Sequence, residues 1–186
     1  MQKNQGNSVI LVLGGVRSGK SLYAQQLAEH SSRVTFVATG ERRDDEEMHR
    51  KIERHRADRP AHWTPVEEPV ALGRVVQTRE DNCDAILIDC LPLFGANLME
   101  ACGSNEAGLE ACVEDLCVAL KTTSRKVIIV SNEVVSGVVP AYELGRRLRD
   151  FVGEINQRVA AVADTVLLMV AGLPLILKGS LEGGHR

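Results

Sequence analysis

The sequence predicts an α/β fold of three layers, with a mostly parallel central sheet flanked by helices. Three observations predict it. Short apolar, β-branched runs recur along the chain without clean in-and-out alternation, as strands covered on both faces do. Longer helical patterns separate these runs. A glycine-rich segment joins the first run directly to the first helical pattern.

In chain order, residues 8–13, 33–38, 85–89, 126–131 and 165–170 read as strands. Helical patterns cover residues 20–30, 44–57, 67–78, 106–122 and 142–163. Residues 172–178 are a candidate further strand, antiparallel at an edge. Residues 1–7 are polar and unpatterned and read as a flexible tail, and residues 179–186 read as a loose end. Residues 8–178 are therefore expected to form a single domain. No internal repeat, low-complexity tract or inter-domain linker interrupts them.

Composition excludes several classes of function. Of 186 residues, 44% are apolar and 25% charged, which excludes disorder of the whole chain. No 18-residue run is free of charge, so no membrane-spanning segment is expected. Net charge is −3 and aromatics are only 3%, so neither a global positive field nor a stacking platform offers itself to nucleic acid. The five cysteines, at 83, 90, 102, 112 and 117, form no CxxC pair and have no zinc-site spacing. Their odd number and the lack of a signal-peptide pattern fit reduced thiols in a cytoplasm.

The most informative segment runs from Gly14 through Gly15, Val16, Arg17, Ser18, Gly19 and Lys20 to Ser21, a G-x-x-x-x-G-K-S motif. It lies where its chemistry requires, after an apolar strand and before a helix. Its glycines allow backbone conformations closed to other residues and close approach to phosphate. Successive N–H groups then face an anion, backed by a helix N-terminus. Lys20 can bridge the terminal phosphates, and Ser21 can offer its hydroxyl to Mg²⁺. Arg17 has two readings, a phosphate contact or a solvated side chain. Asp89 ends a buried run, which suits an acid that holds the metal or orients a nucleophile, with a turn or helix-cap aspartate as the alternative. Together these motifs indicate a P-loop NTPase-like fold.

Residues 41–59 are unusual. Sixteen of the nineteen are charged or histidine, and only Met48 and Ile52 make an apolar stripe. His55 lies on the same helical face as that stripe, whereas His49 points elsewhere. Such runs are commonly solvated helices with internal ion pairs. The rival reading makes His55 a nucleophile with Arg54, Arg56 and Arg59 ready for phosphates; His62 is a weaker candidate.

Beyond the phosphate loop, several segments form a more specific set: Val37-Ala-Thr-Gly40, RHRADRPAHW from Arg54 to Trp63, and ILIDCLPLFGANL around Asp89. Ser131-Asn-Glu-Val134, Gly137-Val-Val-Pro140 and Asn156-Gln-Arg158 complete it. With these the chain resembles, from about residue 8 to 178, the bifunctional adenosylcobinamide kinase / adenosylcobinamide-phosphate guanylyltransferase family of cobalamin biosynthesis. The resemblance implies phosphorylation of adenosylcobinamide by ATP or GTP. Transfer of GMP from GTP through a GMP–histidine intermediate follows, with Mg²⁺ as cofactor. It implies His55 as the guanylylated residue. It also implies a nucleotide site of Gly14 to Ser21 with Ala38, Thr39, Gly40, Arg56, Ala57, Asp58, Arg59, Glu67 and Asp89. A homotrimer is implied too. A plain small-metabolite kinase would leave His55 idle, and a regulatory GTPase would carry an Asn-Lys-x-Asp motif that this chain lacks.

Overall fold

The structure, a computed structural model, describes residues 8–40, 60–78, 83–133 and 139–181. Seven strands form one sheet: β1 (Val9–Gly14), β2 (Val34–Ala38), β3 (Thr64–Glu67), β4 (Ala85–Asp89), β5 (Lys126–Asn132), β6 (Thr165–Val170) and β7 (Leu173–Lys178). Their order across the sheet is β3-β2-β4-β5-β1-β6-β7. All neighbouring pairs are parallel except β6 and β7. Five helices are described: α1 (Lys20–Glu29), α2 (Leu72–Thr78), α3 (Leu91–Cys102), α4 (Glu106–Thr122) and α5 (Glu143–Val162).

The three-layer α/β arrangement expected from the sequence is the observed one. On one sheet face, Ile10, Val12, Phe36, Leu87, Ile128 and Val130 pack with Ala24 and Ala28 of α1 and with Trp63. On the other, Leu11, Val37, Ile88 and Ile129 pack with residues of α2, α3, α4 and α5. Alternate residues of each strand thus enter two separate cores, which is why the strands read as continuous apolar runs.

Two expectations need correction. The helix expected over 67–78 starts only at Leu72; before it lies β3, which the sequence reading missed. This strand is short, largely exposed and contains Pro65, all properties of a sheet edge. Glu68 then turns the chain into α2, its carboxylate accepting from Val70 N at 3.0 Å and Ala71 N at 2.8 Å. Helix α3 is the second difference. Pro92 and Gly95 interrupt its helical pattern, but Pro92 falls in the first turn, where proline is tolerated. Gly95 admits α5: a Cβ there would lie 3.3 Å from Ile155 and 3.4 Å from Val152.

The helix expected over 44–57 lies outside the described residues, as do the tail 1–7 and residues 182–186. No helix among the described residues is long and apolar enough to cross a membrane. None of the five cysteines forms a disulfide.

Candidate active site

Strand β1 delivers the glycine-rich loop at the C-terminal edge of the sheet, where ligands bind in open parallel sheets. A Cβ on Gly14 would collide with Ser18 Oγ and lie 3.0 Å from the Met169 carbonyl oxygen, so the loop closes this tightly only over glycine. Ser18 N donates to Gly15 O at 3.3 Å. Arg17 holds a left-handed conformation (φ +56°), which costs a non-glycine residue about 1–2 kcal/mol. Gly19, at φ +91°, takes the same region freely.

Gly19 is also the N-cap of α1. It has no side chain to cap the helix, and the first turn holds no acidic residue. The first-turn N–H groups and the positive helix end are thus left to an anion. Gly15, Val16 and Arg17 are exposed around them. Ser18 Oγ is buried and makes no hydrogen bond among the described residues.

The loop is backed by a part of the chain that the sequence did not connect with it. Ala171 (φ +52°) and Gly172 (φ +82°) form the two-residue turn between β6 and β7, both left-handed as such hairpins require. Gly172 N donates to Ser18 O at 3.0 Å. A Cβ on Gly19 would come within 3.2 Å of Gly172 Cα. Two glycines therefore let the hairpin turn sit directly on the loop.

Lys20 Nζ reaches back to donate to Gly15 O at 3.0 Å. Burial lowers its pKa below the ordinary lysine range, opposed by the neighbouring charge of Asp89 and then by Cys90. Lys20 and Asp89 thus share one electrostatic environment. Asp89 ends β4 and falls on the α1 face, because Ala85 and Leu87, two and four residues earlier, pack there. Burial pushes the neighbouring Cys90 thiol up to about 12, with Asp89 adding to the effect, so the thiol stays protonated.

Thr39 fixes this junction. It is fully buried, and its hydroxyl donates to Cys90 O and accepts from Cys90 N, both at 2.8 Å. Its N–H donates to Asp89 O at 3.2 Å. Asn97 of α3 in turn donates to Thr39 O at 2.7 Å and to Pro69 O at 3.3 Å. The Thr39 side chain is therefore engaged in supporting Asp89. Asn97 was missed from the sequence, although a polar residue within the apolar ILIDCLPLFGANL was its signal.

The remaining expected residues spread along the same sheet edge. Ala38 pairs with both Asp89 and Glu67 across the strands. At ~4.8 Å per strand, Asp89 lies ~10 Å from β1, Ala38 ~14 Å and Glu67 ~19 Å. Gly40 follows on the same rim, where a Cβ would meet Leu93 Cδ1 at 3.4 Å. The structure thus gathers Gly14 to Ser21 with Asp89 and places Ala38, Gly40 and Glu67 progressively farther away. His55, Arg56, Ala57, Asp58 and Arg59 lie outside the described residues, as do His49 and Val134.

Solved structures share this fold. The ATPase EscN of the enteropathogenic Escherichia coli type III secretion system superposes with a TM-score of 0.55 at 10% identity. The match covers 89% of this chain and 43% of that one. A Pyrococcus horikoshii protein superposes with a TM-score of 0.54 at 9% identity, over 97% of this chain and 90% of that one. At such identities the likeness concerns the fold alone. Sequence relatives are much nearer. The bifunctional adenosylcobalamin biosynthesis protein CobP of Pseudomonas aeruginosa is 42% identical over 170 residues, 91% of this chain and 96% of that protein. The corresponding CobU proteins of Salmonella typhimurium and Escherichia coli are 38% and 36% identical over 181 residues, each match covering 91% of this chain and 99% of theirs. The family model described as cobinamide kinase / cobinamide phosphate guanyltransferase matches residues 10–177. With its phosphate loop at the β1–α1 junction, the chain belongs to that cobinamide kinase / cobinamide phosphate guanyltransferase family.

Proposed function

We propose that this chain performs both reactions of its family at the edge formed by the β1–α1 loop and Asp89. The observation that carries this reading is the uncapped N-terminus of α1, with Lys20 in electrostatic reach of Asp89. In the first reaction, the hydroxyl of the aminopropanol arm of adenosylcobinamide attacks the γ-phosphorus of ATP or GTP. An oxygen–phosphorus bond forms, the β–γ bridge breaks, and a nucleoside diphosphate leaves. Such transfer depends on positioning and charge neutralisation, which Lys20 and the loop amides are placed to give.

In the second reaction, an imidazole nitrogen of His55 attacks the α-phosphorus of GTP and pyrophosphate leaves. The substrate's new phosphate then attacks the resulting phosphoramidate, frees the histidine and gives adenosylcobinamide-GDP. Only the neutral imidazole carries the free electron pair that attacks phosphorus. Arg56, Ala57, Asp58 and Arg59 accompany His55 in this proposal. Ala38, Thr39, Gly40 and Glu67 belong to the far end of the nucleotide site, Thr39 through its support of Asp89.

Mg²⁺ fits the donors present. The Ser21 hydroxyl and the Asp89 carboxylate are hard oxygen ligands beside the phosphate seat. Among the described residues no group of three or more His, Cys, Asp or Glu could hold a metal without help, so phosphate and water would complete the shell. When bound, Mg²⁺ supplies charge neutralisation on the phosphates.

We extend the proposal to a cytoplasmic homotrimer. Five cysteines outside any disulfide support the location. Leu173, Leu175, Ile176 and Leu177 on the edge strand β7 are exposed, an apolar edge that a further copy of the chain could cover.

The test is Lys20→Ala in a folded protein. Phosphoryl transfer and GMP transfer should fall together, by about two orders of magnitude or more, because both use phosphates held in one loop. Near-normal rates in either reaction would exclude a shared site.

A further inference from the structure

Strand β5 lies between β1, which ends in the phosphate loop, and β4, which ends in Asp89. Its residues alternate between the two cores. Val127 and Ile129 face α2 to α5, whereas Ile128 and Val130 face α1. Ser131 continues the first set: it is fully buried and donates to Asn156 Oδ1 of α5 at 2.6 Å. The next residue, Asn132, therefore projects on the α1 face, the face that carries Asp89.

Register fixes its height. Asp89 pairs with Val130, and Gly14 pairs with Asn132. Asn132 thus stands two residues, ~7 Å, beyond the level of Asp89 and level with the first glycine of the loop. Its backbone is held on both sides. Asn156 Nδ2 donates to Asn132 O at 3.0 Å, and Glu133 N donates to Gly14 O at 3.0 Å. Asn132 is half-buried, and its side-chain amide makes no hydrogen bond to any described residue.

A rigidly mounted, neutral amide thus stands over the gap between the loop that holds phosphate and the acid that serves the metal. Lys20 and Asp89 supply the charges of the site. What an amide adds is a directional donor that brings no charge of its own. We infer that Asn132 is a catalytic residue of the phosphoryl-transfer step, donating its side-chain N–H to an oxygen of the γ-phosphoryl group as that group passes to the substrate hydroxyl. This rests on the functional reading above and adds a residue to it. GMP transfer breaks its bond at the α-phosphorus, two phosphates away, and depends on this donor far less.

The experiment compares Asn132→Ala and Asn132→Asp with the wild-type protein in two assays, after thermal melts have verified folding. One assay measures kcat and KM for adenosylcobinamide phosphate formation; the other measures protein-bound GMP from α-labelled GTP. Asparagine to aspartate keeps the shape, removes the donor and adds a negative charge, and it serves even if the alanine variant folds poorly. Both variants should lose roughly tenfold to a hundredfold in kcat for phosphoryl transfer, with KM for the nucleotide and GMP labelling changed less than about threefold. The aspartate variant should be at least as impaired as the alanine variant. A near wild-type kcat in either folded variant overturns the inference. So does an equal loss in both assays accompanied by a lowered melting temperature, which would mark Asn132 as structural. If the wild-type protein itself transfers no phosphoryl group, the functional reading falls, and the assignment of Asn132 falls with it.

Discussion

Thr39→Val isolates the junction that holds Asp89. Valine keeps the branched shape of threonine in a fully buried position and deletes only the hydroxyl. Two hydrogen bonds of 2.8 Å disappear, one to Cys90 O and one from Cys90 N. The carbonyl keeps a partner, since Phe94 N donates to it at 3.2 Å as the first bond of α3. The Cys90 N–H loses the partner that this hydroxyl supplies. An orphaned buried donor costs about 1–3 kcal/mol and the second lost bond about 0.5–1.5 kcal/mol, so roughly 2–4 kcal/mol in all. For a domain of this size that lowers the melting temperature by roughly 5–15 °C. Circular dichroism melts measure it, and both transfer reactions should slow because Asp89 loses its support. Thr39→Ser keeps the hydroxyl and should lie much nearer the wild type. A Thr39→Val protein with unchanged melting temperature and rates would refute the view that this hydroxyl fixes the site.

Three further outcomes are expected. Burial disfavours the charged form of Lys20, so Lys20→Met should be more stable than the wild type in urea at pH 7. As pH rises through the lowered folded pKa toward the ordinary 10.5, the unfolded chain binds more protons than the folded one. Wild-type stability then gains and the difference shrinks; a gap that widens as pH rises toward 10.5 would contradict this. Asp89→Asn should slow phosphoryl transfer by about two orders of magnitude and flatten its Mg²⁺ dependence, and an unchanged Mg²⁺ titration would reduce Asp89 to a structural cap. Gly73→Ala should destabilise by about 1–3 kcal/mol in chemical denaturation despite alanine's better helix propensity. Its Cβ would lie 2.8 Å from the Asp115 backbone, where α2 meets α4; a stabilised variant would contradict that packing.

Much of the fold was legible because its signals are local. The buried strands β4 and β6 match the expected ranges residue for residue, since a parallel strand covered on both faces must be apolar throughout. The phosphate loop was legible for a similar reason: Gly14, Gly19 and Lys20 are demanded by backbone geometry and charge within eight residues. Strand β3 was not, because an exposed edge with Pro65 carries no apolar pattern. Nor was the support of the site. Thr39 and Cys90 are 51 residues apart, and Asn97 and Thr39 are 58 apart. Gly172 meets Ser18 from the far end of the chain. Such contacts depend on strand order, and the placement of β5 between β1 and β4 is the fact that makes Asn132 informative. His55 was singled out in the sequence by its family resemblance, since the charge of residues 41–59 alone favours a solvated surface.

The most direct measurement of the two-reaction account is covalent labelling with α-labelled GTP, run beside adenosylcobinamide phosphate formation. Wild-type protein and the His49→Ala and His62→Ala variants should take up GMP in an acid-labile, base-stable bond. His55→Ala should take up none and make no adenosylcobinamide-GDP, yet still form adenosylcobinamide phosphate, because phosphoryl transfer needs no protein nucleophile. Label on the His55→Ala protein would contradict the assignment of the nucleophile. Phosphoryl transfer with no label on any protein, wild type included, would leave a plain kinase.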